Sequence, residues 1–248
     1  MVFIGIDLAW TYKNESGLCV IKDSGEVLRH EAAVFSNAAI VDLILSYSSE
    51  EVCVGIDAAI IVNNVSGSRA AEGLMMRDQF HGHRLQAFNS NRQYLEKVFG
   101  DIRGEEIYRA LRERTTGVRV TDVFGQGQLR LMEVFPTGVV LGMLPELYPL
   151  KYKLKGKVPF EASKHQMTRL LQGIDVIRAK EEIWGDVHVM TYKDVENLNK
   201  SQYKHFEDQI DAFLCAYGML AVYRGIAKQR IYGDEMDGFI MVPVLRED

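Results

Sequence analysis

The chain has 248 residues, 47% hydrophobic and 25% charged, a composition that suits one large α/β domain with ample core. Its formal net charge of −5 excludes a uniformly basic nucleic-acid binder. No apolar run approaches membrane length and no basic region precedes the first apolar run, so the expectation is a cytoplasmic protein, neither secreted nor membrane-spanning.

The first element is an apolar run, Val2-Phe3-Ile4, that ends in Gly5-Ile6-Asp7. Runs that are hydrophobic on both faces read as buried parallel strands. Residues 18–21 and 27–34 read as a hairpin around the turn cluster Lys22-Asp23-Ser24-Gly25. Ser36 is a candidate N-cap, and Ile40, Val41, Ile44 and Leu45 follow helical spacing. Val52-Cys53-Val54 then leads into a second Gly-Ile-Asp, at Gly55-Ile56-Asp57. The order is β-β-β-α-β, and a right-handed crossover places the fourth strand beside the first, about 4.8 Å away.

Residues 58–128 are polar and mostly helical in pattern and read as an insertion or cap within one domain over residues 1–248. Leu129 to Phe135 is a third apolar run, ended by Pro136. Lys151, Lys153, Lys155 and Lys157 alternate, which on a strand would form a one-sided basic stripe. Residues 163–171 read as helix and residues 187–191 as a short strand. From His205 an amphipathic helix is expected, with Ile210, Phe213, Leu214, Tyr217, Leu220 and Ala221 on one face. Residues 239–244 read as a terminal strand. The cysteines, Cys19, Cys53 and Cys215, lie in apolar patterns; an odd count without paired spacing argues against disulfides and zinc.

Chemistry is expected where the acids gather. Asp7 and Asp57 end two neighbouring strands, and in open α/β sheets sites lie beyond the carboxyl ends of strands. Glu133 lies near the end of a third strand. Asp208 and Asp211 are expected in the first turn of the late helix, on one face, with His205 three residues earlier on the same line. Hard oxygen donors in this number suit Mg²⁺ or Mn²⁺ rather than zinc. Two such ions about 3.5–4 Å apart would stabilise the attacking and leaving oxygens of a phosphoryl displacement. Each acid also has a purely structural reading: a strand-end Asp caps a turn, Asp208 and Asp211 favour a helix N-terminus, and Glu133 pairs with Arg69 or Arg169.

The charge distribution points to the substrate. Residues 1–68 carry three Lys/Arg against nine Asp/Glu, whereas residues 151–180 carry eight against two. Acidic ends with a basic middle are what a nucleic-acid phosphodiester would require. Candidate substrate contacts are Trp10, as a stacking surface, with Arg69, Lys151, Lys153 and Arg169; Arg77, Arg84 and Arg92 could add to a groove. His81-Gly82-His83 reads as a surface turn rather than a metal pair. A second copy of the chain is a further candidate partner.

The ordered set Gly5-Ile6-Asp7-Leu8-Ala9-Trp10, Gly55-Ile56-Asp57-Ala58, Glu133-Val134-Phe135-Pro136, His205 with Asp208 and Asp211-Ala212, and Gly238-Phe239-Ile240 with Pro243 resembles the ribonuclease H-like fold. More narrowly, it is similar to domain-of-unknown-function family 429, the predicted RNase H-like nucleases. The resemblance covers nearly the whole length. It implies a mixed sheet flanked by helices and a metal-dependent nuclease. It makes Asp7, Asp57, Asp208 and Asp211 ligands, with Glu133 and His205 as accessories. The chain departs from the family in the insertion, where Arg69-Ala70-Ala71-Glu72 replaces Arg-x-Cys-Asp, and after the second Gly-x-Asp, where Ala58-Ala59-Ile60-Ile61 replaces an early proline.

Two other readings compete. An actin-like or sugar-kinase-like ATPase also begins with Gly-x-Asp on a hairpin, but needs glycines and Ser/Thr after the Asp to approach phosphate; here Leu8-Ala9-Trp10 follows. A binding protein that kept the fold and lost catalysis is the other.

Overall fold

The computed structural model describes residues 1–125, 128–154, 158–185 and 192–246. Strands β1 (Val2–Asp7), β2 (Ser16–Lys22) and β3 (Glu26–Ala33) form an antiparallel meander. Helix α1 (Asn37–Ser46), whose N-cap Ser36 accepts the Ala39 N–H, carries the chain to β4 (Val52–Ile56). β4 runs parallel to β1, with Gly5 opposite Gly55 and Ile6 opposite Ile56. The doubled triplet is therefore two adjacent strand ends, and the Asp57 N–H donates to the Ile6 carbonyl at 2.9 Å.

Helices α2 (Ala70–Arg77), α3 (Arg92–Phe99) and α4 (Arg103–Arg114) and the short strand β5 (Val118–Val120) follow. β6 (Leu129–Val134) joins parallel to β4 and places Glu133 opposite Ile56. After α5 (Pro136–Met143), α6 (Phe160–Lys180), β7 (Trp184–Gly185), α7 (Tyr192–Asn197) and α8 (Lys200–Tyr223), the chain ends in the antiparallel pair β8 (Ala227–Asp234) and β9 (Gly238–Leu245). Among the described residues one mixed sheet has the order β7-β3-β2-β1-β4-β6-β9-β8, with β5 branching from β6. A meander, a helical crossover and parallel strands beyond it, flanked by helices, is the RNase H-like arrangement. The expected strand at 187–191, and Lys155 and Lys157, lie outside the described residues.

The late helix differs from its expectation. It starts at Lys200, not at His205, because Asn199 and Gln202 form a reciprocal capping box. Asp208 and Asp211 consequently lie two to three turns inside the helix, so an N-terminal dipole role is removed. Nor is α8 amphipathic: every residue from Phe206 to Ala221 is buried. A helix buried all round needs cover on both sides; α8 lies across β1 and β2 on one side and meets α5 on another. β8 was missed because the consecutive polar residues Lys228-Gln229-Arg230 break any apolar alternation, which a partly exposed edge strand tolerates.

Two glycines set how closely α8 approaches. A Cβ on Gly5 would lie 2.0 Å from the Ala212 carbonyl oxygen, and one on Gly17 would lie 1.9 Å from that of Asp208. The backbone of α8 thus rests directly on β1 and β2. The glycine of the first triplet is what allows the helix acids to reach the strand acids. The free cysteines Cys19, Cys53 and Cys215 are buried, and among the described residues no helix is long and apolar enough to cross a membrane.

Candidate metal centre

Asp7 closes β1, Asp57 follows β4, and Asp211 projects from the middle of α8 onto the same sheet edge. One carboxylate oxygen from each lies within 4.8 Å of the others. Asp211 is buried, and Asp7 and Asp57 are partly open to solvent.

Lys153 enters this cluster. Its Nζ lies 2.8 Å from Asp211 Oδ2 and 3.7 Å from Asp57 Oδ2. The neighbouring Tyr152 hydroxyl donates to Asp211 Oδ1 at 2.5 Å. α8 fixes the backbone on both sides of the lysine: the Leu154 N–H donates to Glu207 Oε2 at 2.7 Å, and the Tyr203 hydroxyl lies 2.5 Å from the Tyr152 carbonyl oxygen. Asp208 stands beside the triad, ion-paired with Lys204 and hydrogen-bonded by Asp7.

Burial, reinforced by Asp211 and Asp57, holds the Asp7 carboxyl well above the usual carboxylate range. Burial also pushes Asp57 up to about 6, with Lys153 restraining the rise and Asp211 adding to it. Asp208 is raised by burial against the pull of Lys204. Burial opposes the charge on Lys153, but Asp211, Tyr152 and Asp57 outweigh it, so its pKa is raised and the ammonium persists. Like charges this close, in low dielectric, are met by a cation or by shared protons. Three hard oxygen donors without Cys or His among them fit a hard divalent ion.

The other sequence candidates lie elsewhere. Glu133 is not part of the cluster: the Arg69 guanidinium grips both its oxygens, at 2.7 and 2.6 Å, and the Ile60 N–H donates to it at 2.8 Å. Arg69 is correspondingly engaged within the fold: it also binds Glu72 and the Ile61 carbonyl, and its side chain is 3% exposed. The structural alternative for Glu133, pairing with Arg69, is the one observed. His205 turns to the surface, with Nδ1 2.8 Å from Glu15 Oε2 and Nε2 3.3 Å from Gln209 Nε2. Trp10 stacks on Phe99 at 5.1 Å and tilts against Phe88, while staying 38% exposed. Lys151 faces solvent whereas Lys153 points into the acids, so no one-sided stripe forms over 151–154. Arg169 sits half-buried on α6 beside Gln166. His81 and His83 occupy a tight surface turn, as expected.

Sequence reasoning missed Tyr152, Tyr203, Lys204 and Glu207. Lys204 was findable, four residues before Asp208 on one helix. The only signal for Tyr152 was an aromatic set inside a run of lysines.

An RNase H-like α/β protein with an acidic cluster able to hold a metal ion is the class that fold and site define. The family model described as a protein of unknown function (DUF429) matches residues 5–237, and the chain belongs to that family. Comparison with curated proteins and with solved structures finds no match.

Proposed function

We propose that this protein is a Mg²⁺- or Mn²⁺-dependent nuclease that hydrolyses phosphodiester bonds of nucleic acid. The observation that carries this reading is the gathering of Asp7, Asp57 and Asp211 within 4.8 Å at the carboxyl edge of neighbouring strands. These three would hold the ion, with Asp208 supporting Asp7. A bound divalent ion supplies Lewis-acid polarisation of a phosphoryl oxygen and makes water easier to deprotonate. The chain's own contribution is orientation and charge. Tyr152 fixes the Asp211 carboxylate, α8 lies close against β1 and β2 through the absence of side chains at Gly5 and Gly17, and Lys153 places a positive charge where the anionic phosphate must approach. The basic excess of residues 151–180 supports a polyanionic partner.

The test is cleavage of single-stranded, duplex, hybrid and branched DNA and RNA with Mn²⁺ or Mg²⁺. Wild type is compared with Asp7→Asn and Asp211→Asn. Metal-dependent cleavage by wild type alone is expected. Equal cleavage by all three proteins would sink the proposal, and a folded, metal-binding protein that cleaves nothing would leave only a binding role.

A further inference from the structure

We infer that Lys153 is the second cation of this site: the cluster takes one divalent ion, and the Lys153 ammonium stands where a two-metal centre would place the other. This rests on the metal-dependent reading above and goes beyond it, since the acids alone suggest an ordinary pair of ions.

Position is the first argument. Paired catalytic ions sit about 3.5–4 Å apart and share a carboxylate between them. Lys153 Nζ occupies such a shared position, 2.8 Å from Asp211 and 3.7 Å from Asp57.

Charge is the second. Asp7, Asp57 and Asp211 bring three negative charges and Lys153 returns one, which leaves the charge that one divalent ion neutralises. Two divalent ions beside a retained ammonium would exceed the three acids by two charges, with carboxylate oxygens gathered within 4.8 Å and Asp211 buried.

Fixation is the third. A surface lysine swings over many rotamers, whereas this one is 20% exposed and its chain neighbours are pinned to α8 through Asp211, Glu207 and Tyr203. The ammonium carries three donors. Asp211 lies at hydrogen-bond distance and Asp57 at ion-pair distance, which leaves a donor to meet an oxygen of the substrate phosphate. Lysine is the suitable residue, because a compact point charge can stand in for an ion, whereas a guanidinium fork would occupy both oxygens of one carboxylate.

Counting Mn²⁺ on the intact chain tests this without any activity assay. Native mass spectrometry and equilibrium dialysis should give one ion per wild-type chain. Lys153→Met and Lys153→Gln, each checked for folding by circular dichroism, should take up a second ion, with spin coupling between the two visible by electron paramagnetic resonance. Two ions on the wild type would overturn the inference and make Lys153 a place-holder that metal displaces. One ion on wild type and on both variants would also overturn it, while leaving the metal-dependent reading intact. No ion on folded wild type would remove that reading itself.

Discussion

Two buried charge clusters lie one strand apart at the same edge of the sheet, and they are built to opposite ends. In one, Arg69 binds Glu133 through both guanidinium Nη atoms and reaches Glu72 and the Ile61 carbonyl as well. In the other, Lys153 serves Asp211 and Asp57, Lys204 serves Asp208, and Asp7 faces its fellow carboxylates. A planar fork saturates a carboxylate and leaves it nothing to offer a ligand. A point charge answers only part of each acid, so lone pairs remain for an incoming ion. The arginine cluster ties the loop after β4 to β6 and α2, and the lysine cluster leaves Asp7 and Asp57 partly open to solvent.

Breaking the arginine cluster has the largest expected effect. Arg69→Met strands Glu133 and Glu72 in a nearly dry interior, and removing one partner of a buried pair costs about 3–5 kcal/mol. Urea denaturation measures this; a loss under about 1 kcal/mol, the scale of an exposed pair, would erase the contrast between the two clusters.

The acid cluster should respond in the opposite sense. Asp7→Asn removes a carboxylate that burial, Asp211 and Asp57 all disfavour, so the metal-free variant should melt above the metal-free wild type. Wild type should gain about 2.7 kcal/mol when free Mn²⁺ is 100 times its Kd, and the variant should lose most of that gain. Calorimetry with and without Mn²⁺ reads both effects. A variant that melts lower and keeps the full metal shift would show that Asp7 is structural.

This contrast explains what could be read from the sequence. The two Gly-Ile-Asp triplets announced themselves because buried parallel strands are apolar on both faces, and the β-β-β-α-β order then made them neighbours. Asp7, Asp57 and Asp211 duly meet. The partners that decide each acid's role are poorly legible across long chain distances. Arg69, 64 residues from Glu133, stood only as one of two alternatives, and Tyr152, 59 residues from Asp211, was not read at all; no local period records such pairs. The start of α8 went unread for a different reason: the apolar face first catches the eye at Ile210, whereas Asn199 and Gln202 begin the helix in a polar stretch. Its burial on all sides is a tertiary fact that the gaps at Gly5 and Gly17 make possible.

The balance within the acid cluster should also shift with pH. In the metal-free fold Asp57 titrates at about 6, above the ordinary value of about 3.9 that an unfolded chain shows. Between these values the native state holds a proton that the unfolded state has lost. The contribution of Asp57 to metal-free stability is therefore complete below the unfolded value and is lost as pH rises through about 6. Metal binding runs the other way, because the ion must displace that proton; below about 6 each pH unit should cost up to about 1.4 kcal/mol of Mn²⁺ binding per displaced proton. Titration calorimetry with Mn²⁺ at pH 5.0 and 7.5 checks this on wild type. A pH-independent affinity would mean that Asp57 stands outside the ligand set.

The smallest effect is expected at His205, and it separates the cluster from its surroundings. The ring is held by Glu15 in a pair whose side chains are 39% and 40% exposed, so His205→Ala should change stability by less than about 1 kcal/mol. The Mn²⁺-induced rise in Tm and the number of bound ions should both stay at wild-type values, because this side chain engages Glu15 and Gln209 rather than the acid triad. The informative measurement is cleavage. His205 precedes Asp208 by three residues on α8, so the two share a helix face, and contacts as weak as an exposed pair would release the ring to an arriving substrate. If His205→Ala binds Mn²⁺ normally yet cleaves slowly, the histidine acts on the substrate and the working site extends from the metal cluster toward the helix start. If cleavage is unchanged, the chemistry is confined to the acids and lysine gathered around Asp7.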